Sequence, residues 1–557
     1  MTLVLAALAV ALWLGSAAAA RRPAAVSAVT VTQSFPGLDQ SDGGGFAPPD
    51  VQVAAGPGFV VEMVNLAMRV WRTPGSPAAE VSTEALATLF QTGADGLTDP
   101  RVLYDPASGR WLASISDIDA GEVLLAVSGG GDPTGSWRIY PFDAGGDCAD
   151  QPRLGTADGV IVLAADLFTS CDRRGTRLVG GELWTVSKAD VLAGETAPAF
   201  STFGPTRTFS SLTPVQSLSA TSTEYVVSVD SPTSIVVHLL AVTGVPPAAV
   251  SVRQVAAPRI TPLQDPPTAV EPTASGESFA DLDTNDDRVL DAVWEQGRLW
   301  FSANTACTPT GDTQRRSCGR IAELATPDGT VTWQKDLGLP GGYVFFPTLR
   351  PDGAGSVLAV YGESSRSLAP AVAVVARTAD GAFTKPALVG ETASPGGSSQ
   401  NGGRWGDYFG AARDPSNPSV VWVAGETGAP APGSQDWTTV VGSAVATAGS
   451  TPPASTPPPR LQARPGSGVA GKPVRLSYVA LDDGSGVRRQ VTVRSTGRVV
   501  FRRTTVPGPV YARRVYGTSW TPPRRLRGSL PFCVRSIAAD GTQSAPSCAS
   551  VRIAAPR

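Results

Sequence analysis

Apolar and polar positions along this chain fall into short alternating or continuous apolar runs cut by Gly, Asp, Asn and Pro, the pattern of β-strands joined by turns. One frame recurs: an Asp, a short apolar stretch, a turn with Gly, Asp or Pro, then an aromatic or β-branched strand ending in small residues. Its copies are PDVQVAAGPGFVVEMVN (49–65), TDPRVLYDPASGRWLASIS (98–116), DQPRLGTADGVIVLAAD (150–166), TPVQSLSATSTEYVVSV (213–229), DDRVLDAVWEQGRLWFSAN (286–304), FFPTLRPDGAGSVLAVY (345–361) and RWGDYFGAARDPSNPSVVWVAG (404–425). They recur every 50 to 75 residues, roughly, a spacing typical of repeat folds. Intervening stretches such as SWRIYPF, GELWTVS and WTTVVGSAV supply one or two further strands per copy. A lone four-stranded unit leaves both faces bare, whereas a ring of them packs face to face and removes exposed edges. The expected fold is all-β: a β-propeller of about seven blades over 30–447, with six or eight as alternative counts because the fourth copy is degenerate. A β-sandwich array or right-handed β-helix is the rival, though a β-helix would show shorter periods.

Beyond the repeats, GSTPPASTPPPRLQARPGSG (448–467) is a Pro/Ser/Thr-rich linker, stiffened by its prolines. From 468 to 557, VRLSYVALDD, RQVTVRSTGRVVFRR and LPFCVRSIAADGTQSAPSCASVRI alternate apolar and polar residues, as a small Ig-like or fibronectin-type sandwich would. The opening MTLVLAALAVALWLGSAAAA (1–20) has the apolar run and Ala-x-Ala ending of a cleaved signal peptide, although no Lys or Arg precedes the run. Secretion is the expected localisation, with cell-surface association as a variant.

Composition sharpens this picture. The 60 Gly and 49 Pro suit many turns, and the six Cys form sequence-local pairs, Cys148 with Cys171, Cys307 with Cys318, and Cys533 with Cys548, which read as disulfides in an exported protein. One histidine, His238, within the apolar run SIVVHLLAV, disfavours a Ser-His-Asp triad and histidine-ligated zinc. From residue 460 onward there are 18 Lys or Arg against three acids in a chain whose overall net charge is −3. Such a basic module would adhere to an anionic cell-wall or membrane surface. No nucleic-acid motif accompanies it, so no nucleic-acid partner is expected, and a monomer is.

An aspartate precedes the turn in five copies: Asp50, Asp99, Asp150, Asp287 and Asp407, with Arg101, Arg153, Arg288 and Arg404 beside most of them. If the strand before each turn is innermost, these groups ring one mouth of a central channel. There they would bind a polar or charged ligand, or a cation if carboxylates outnumber guanidinium groups. The alternative is structural: such aspartates accept backbone N–H bonds and Arg–Asp pairs lock blade to blade. A second candidate is ADLDTNDDR, where Asp281, Asp283, Asn285 and Asp287 follow the odd positions of a calcium loop. Asp286 replaces its turn glycine, so only a looser calcium site is expected there.

Five segments carry a resemblance. The hairpin FCVRSIAADGTQSAPSCASVRI resembles the last strands of fibronectin-type domains in secreted actinobacterial proteins. RWGDY, with AVSGGGDPTGSW and NDDRVLDAVWEQGRLWFSAN, resembles a family of secreted bacterial propeller proteins of undefined activity. TPDGTVTW (326–333) approaches the Asp-box turn of sialidase-like propellers with its glycine one place early, and a sialidase would use Tyr408 as nucleophile. Propellers host binders, hydrolases and lyases alike, so the resemblance implies fold more than chemistry. The expected function is extracellular binding of a glycan or protein. The alternative is a carbohydrate-active enzyme, sialidase-like or another glycoside hydrolase or lyase, using carboxylates of the mouth.

Overall fold

The computed structural model describes residues 27–93, 96–171, 176–273, 278–392, 403–428, 436–448, 458–482, 484–505, 508–510, 512–537 and 543–556. The N-terminal segment 1–20 and most of the Pro-rich segment 448–457 lie outside them. The chain divides into two compact units, one of residues 27–448 and one within 449–557.

The larger unit is all-β and holds seven antiparallel four-stranded groups. The first contains Gln52–Gly56, Phe59–Val64, Ala67–Arg72 and Ala79–Ala85. Each of the seven repeated segments supplies the first hairpin of one group. Predominantly apolar runs mark inner strands, as in Phe59–Val64, where every residue is buried, Glu62 included. Outer strands such as Phe200–Thr206 alternate half-buried and exposed residues, because only one face is covered. Tight turns fix the register: Gln296 and Gly297, both with positive φ, form the two-residue loop between Glu295 and Arg298 that suits the strand twist.

The first strands of the groups neighbour one another in chain order, and that of the seventh neighbours that of the first. Seven apolar clusters fill the spaces between adjacent groups, the seventh-to-first space included, where Leu38, Val60, Trp71, Trp422 and Trp437 meet. The seventh group is completed by the N-terminal strand Ala28–Asp39, which pairs with Trp437–Thr447.

The smaller unit has a sheet of Leu461–Ala463, Val474–Ala480 and Val515–Trp520, and a second around Gly484–Ser495, Gly528–Ile537 and Ser547–Ala554. Leu476, Tyr478, Val493, Trp520, Phe532 and Val551 share its core. Residues 461–467, the end of the expected linker, belong to this unit and carry the strand Leu461–Ala463 and the start of Gly466–Val469. Leu461 and Ala463 bury alternate side chains, and Gly466–Val469 pairs in parallel with Val551–Ala554. The disulfides Cys148–Cys171, Cys307–Cys318 and Cys533–Cys548 are all formed. None of the described helices is long and apolar enough to cross a membrane.

Candidate functional site

Within or just ahead of their first strands, six of the groups bend through a left-handed residue: Asp50 (φ 49°), Asp99 (60°), Gln151 (47°), Ser211 (49°), Phe346 (52°) and Gly406 (102°). For a non-glycine this conformation costs about 1 kcal/mol or more, and it persists because neighbouring groups hold it. The amide of Asp99 donates to Asn65 Oδ1 (2.9 Å), that of Gln151 to Asp99 Oδ2 (3.2 Å), that of Ser211 to Asp166 Oδ1 (2.7 Å) and that of Phe346 to Asn304 Oδ1 (2.8 Å). After Gly406, the amide of Asp407 donates to Asp50 Oδ1 (2.8 Å). The first four bonds each run from one group to the one before it, and the last runs in the other sense, from the seventh group to the first.

These bends carry Asp50, Asp99 and Asp407 to one rim, with carboxylate oxygens within 4.8 Å of one another and no residue more than 6% exposed. Asn65 Nδ2 donates to Asp50 (2.7 Å), Gln151 Nε2 to Asp407 (2.8 Å) and Arg404 to Asp407 (2.5 Å). Glu426, fully buried, lies beside them. A Cβ at Gly406 would meet its Oε2 at 3.4 Å and Asp50 Oδ1 at 3.6 Å. Burial, followed by the charges of Asp407 and Asp99, pushes the Asp50 carboxyl well up. Burial and then Asp407 push Asp99 up, and burial followed by the Asp50 charge does the same to Glu426. One arginine contact does not balance this much buried negative charge, so the cluster retains protons or takes a cation. Three hard oxygens at this spacing are a calcium-type donor set. Among the described residues it is the one grouping of acidic, His or Cys side chains that could hold an ion.

Beside the trio, Arg288 bridges two carboxylates with unlike environments. Its guanidinium grips Asp286 through bonds of 2.6 to 2.9 Å and lies 3.8 Å from Asp150, whose side chain is 41% exposed. Desolvation, then the charge of Asp99, raises Asp150 to about 7 against the pull of Arg288. Burial also pushes Asp286 upward, but the charge and N–H bonds of Arg288 outweigh it and hold that carboxyl below its usual range. One acid is therefore protonated near neutrality while its neighbour is ionised, the division acid–base chemistry requires.

The structure corrects the expected ring in several places. Gln151, not Asp150, occupies the bend equivalent to Asp50 and Asp99. Asp287 lies apart from the trio, accepting from Ser231 Oγ at 2.8 Å. Arg101 and Arg153 lie beneath the rim, lining a central cavity. The acidic loop does not gather its ligands: Asp281 sits in a strand opposite Val270, Asp283 Oδ1 accepts from the amide of Asn285, and Asn285 Oδ1 accepts from that of Asp286. Tyr408 is buried, its hydroxyl donates to Pro100 O at 2.9 Å, and desolvation pushes its phenol well above its usual value, which removes it as a nucleophile. His238 lies between Gln254 and Asp230 on the strand Val237–Thr243 and takes no part in the rim. Asp286, Asn65 and Gln151 are site groups the aspartate pattern passed over. Asn65, Asp166 and Asn304 each end a quoted repeat, a recurrence that could have revealed the bonds between groups.

No family model and no curated protein matches the chain. A protein of unknown function from Dyadobacter fermentans is similar to it over 75% of this chain and 99% of its own, at 14% identity and a TM-score of 0.37. The α-L-arabinofuranosidase Arb93A from Fusarium graminearum covers 76% of this chain and 97% of its own at 11% identity and a TM-score of 0.31. A subtype N10 neuraminidase-like protein of A/little yellow-shouldered bat/Guatemala covers 60% and 96%, at 10% and 0.31.

Proposed function

We propose that the larger unit is a seven-bladed β-propeller, exported behind residues 1–20, and that it is a carbohydrate-active enzyme whose acid and base are Asp150 and Asp286. The observation carrying this reading is the Asp150–Arg288–Asp286 bridge, in which two carboxylates on one guanidinium are driven to opposite protonation states. The bridge keeps their oxygens within about 9 Å, the range over which glycoside hydrolases place a proton donor and its partner. Protonated and half-exposed, Asp150 would donate to the leaving glycosidic oxygen. Asp286, ionised, would activate water or attack the sugar once substrate loosens its hold on Arg288. The buried trio would hold calcium beside them, stiffening the rim.

The test is product release from a panel of cell-wall and host glycans. Asp150→Asn and Asp286→Asn should each lower the rate at least a hundredfold, and activity should fall as pH rises through 7. Full activity in both variants would sink the assignment. A binding-only reading is favoured by one observation: Asp50, Asp99 and Asp407 are all satisfied within the protein, as a lock between blades would be. Glycan retention without products would select it. The basic Ig-like unit would tether either form to an anionic envelope, by binding that weakens steeply with salt.

A further inference from the structure

Beneath the rim, the first strands of six groups enclose a cavity with about 30 Å³ of open volume, room for one or two waters or one small ion. Three arginines face it: Arg101, Arg153 and Arg350, each no more than 8% exposed. Their partners do not use up their donors. The Nε atoms of all three are buried without a hydrogen bond, as is one terminal nitrogen of Arg153. Arg350 pairs with Asp291, and Arg153 lies 3.6 Å from Asp166, whose oxygens already accept from the amide and hydroxyl of Ser211. Arg101 makes no ion pair or hydrogen bond among the described residues. Its guanidinium lies 3.4 Å above the Tyr408 ring, against the face where the ring quadrupole is negative. Within the cavity three cations thus face two carboxylates; the Arg101 charge pulls down the Asp99 carboxyl in the rim above, but no carboxylate bonds to its guanidinium and its Nε–H is unfilled.

A buried unpaired charge costs several kcal/mol unless something answers it. We infer that this cavity is a binding site for a small monovalent anion, a carboxylate or a halide, held between Arg101 and Arg153 with Arg350 closing the far side. The site uses neither Asp150 nor Asp286, although Arg153 and Arg288 both donate to Gln151 Oε1, at 3.2 and 3.1 Å. Arg350 comes from a repeat whose bend holds Phe346 rather than an acid, so the aspartate pattern did not point to it.

The experiment is thermal unfolding of the intact chain at fixed ionic strength set with sulfate, a dianion too large for the cavity. Sodium formate and sodium bromide are titrated in separate arms. A saturable rise of about 3 °C is expected in at least one arm. Formate alone would mark a carboxylate site, and both together a site for any small monoanion. Arg101→Gln should abolish the saturable rise. Midpoints that follow ionic strength alone, or an undiminished rise in the variant, would overturn the proposal in favour of a water-filled cavity with Arg101 answered by Asp99. Should the variant not fold, anomalous scattering from bromide-soaked crystals decides: a peak between Arg101 and Arg153 supports the site, and none refutes it.

Discussion

The rim and the cavity beneath it lie two residues apart on the same strands, yet they manage buried charge in opposite ways. At the rim, Asp50, Asp99 and Asp407 repel one another, and every one of them has an amide, a backbone N–H or an arginine to accept from. In the cavity, Arg101 has only the face of Tyr408, and the Nε atoms of three arginines go unmet. A like-charged cluster can thus be firmly embedded when its hydrogen bonds are complete, while a lone charge among aromatic and aliphatic neighbours is the less settled arrangement. The difference is one of connectivity more than of net charge.

The largest effect should come from breaking the rim network. Asp50→Ala strands Asn65 Nδ2 and the Asp407 amide and should cost about 4 kcal/mol in urea unfolding, whereas Asp50→Asn, which keeps an acceptor and removes a charge, should cost less than half of that. Equal losses would mean the bonds are not what matters.

Next comes pH. Glu62, Glu182 and Asp150 all sit at about 7, Glu62 through burial against the partial relief of Thr439 and the Leu38 amide. Their folded values lie above the unfolded ones near 4, so between about pH 4 and 7 the folded chain keeps protons the unfolded chain has lost. That stabilisation is complete below pH 4 and disappears as pH rises through 7. Stability should therefore be lower at pH 8 than at pH 5. Glu62→Gln should remove on the order of 3 kcal/mol of that difference. A flat profile in the unmodified chain would contradict it.

Calcium should act in the opposite direction. Saturating calcium should stabilise the protein by about 2 kcal/mol at pH 8 and less at pH 5, where protons compete for the raised carboxyls of Asp50 and Asp99, and Asp407→Asn should lose the effect. The smallest change is expected at the cavity. Arg101→Met, in buffer free of small anions, should be neutral or stabilise by about 1 kcal/mol, since it removes a charge without orphaning any partner.

Much of this was legible in the residues. The seven quoted segments coincide with the first hairpins of seven groups because a strand buried on both faces must be mostly apolar, and that signal survives divergence. Asp50, Asp99 and Asp407 were placed together by position in the repeat alone. The third repeat slipped by one residue, since DQP offers an aspartate where the bend holds Gln151, and a left-handed glutamine leaves no compositional mark. Asp286 was read only as a spoiled calcium loop. Its role depends on the reach of Arg288 toward Asp150, a contact across 138 positions that no local spacing encodes. The Pro-rich segment hid two strands because their partners, Val474–Ala480 and Ser547–Ala554, lie downstream.

The strand Ala28–Asp39 has a consequence for the order in which the protein can be made. Its partner, Trp437–Thr447, is synthesised some 400 residues later, with Ala28 set against Thr447. During synthesis the first described strand must therefore wait unpaired, and the larger unit can complete its seventh group only after nearly all its chain has emerged. Contacts so distant in sequence form slowly, and an exposed strand edge invites association in the meantime. The closing step can come only once the strand Trp437–Thr447 has been made, and any product truncated before Trp437 would be left permanently ajar.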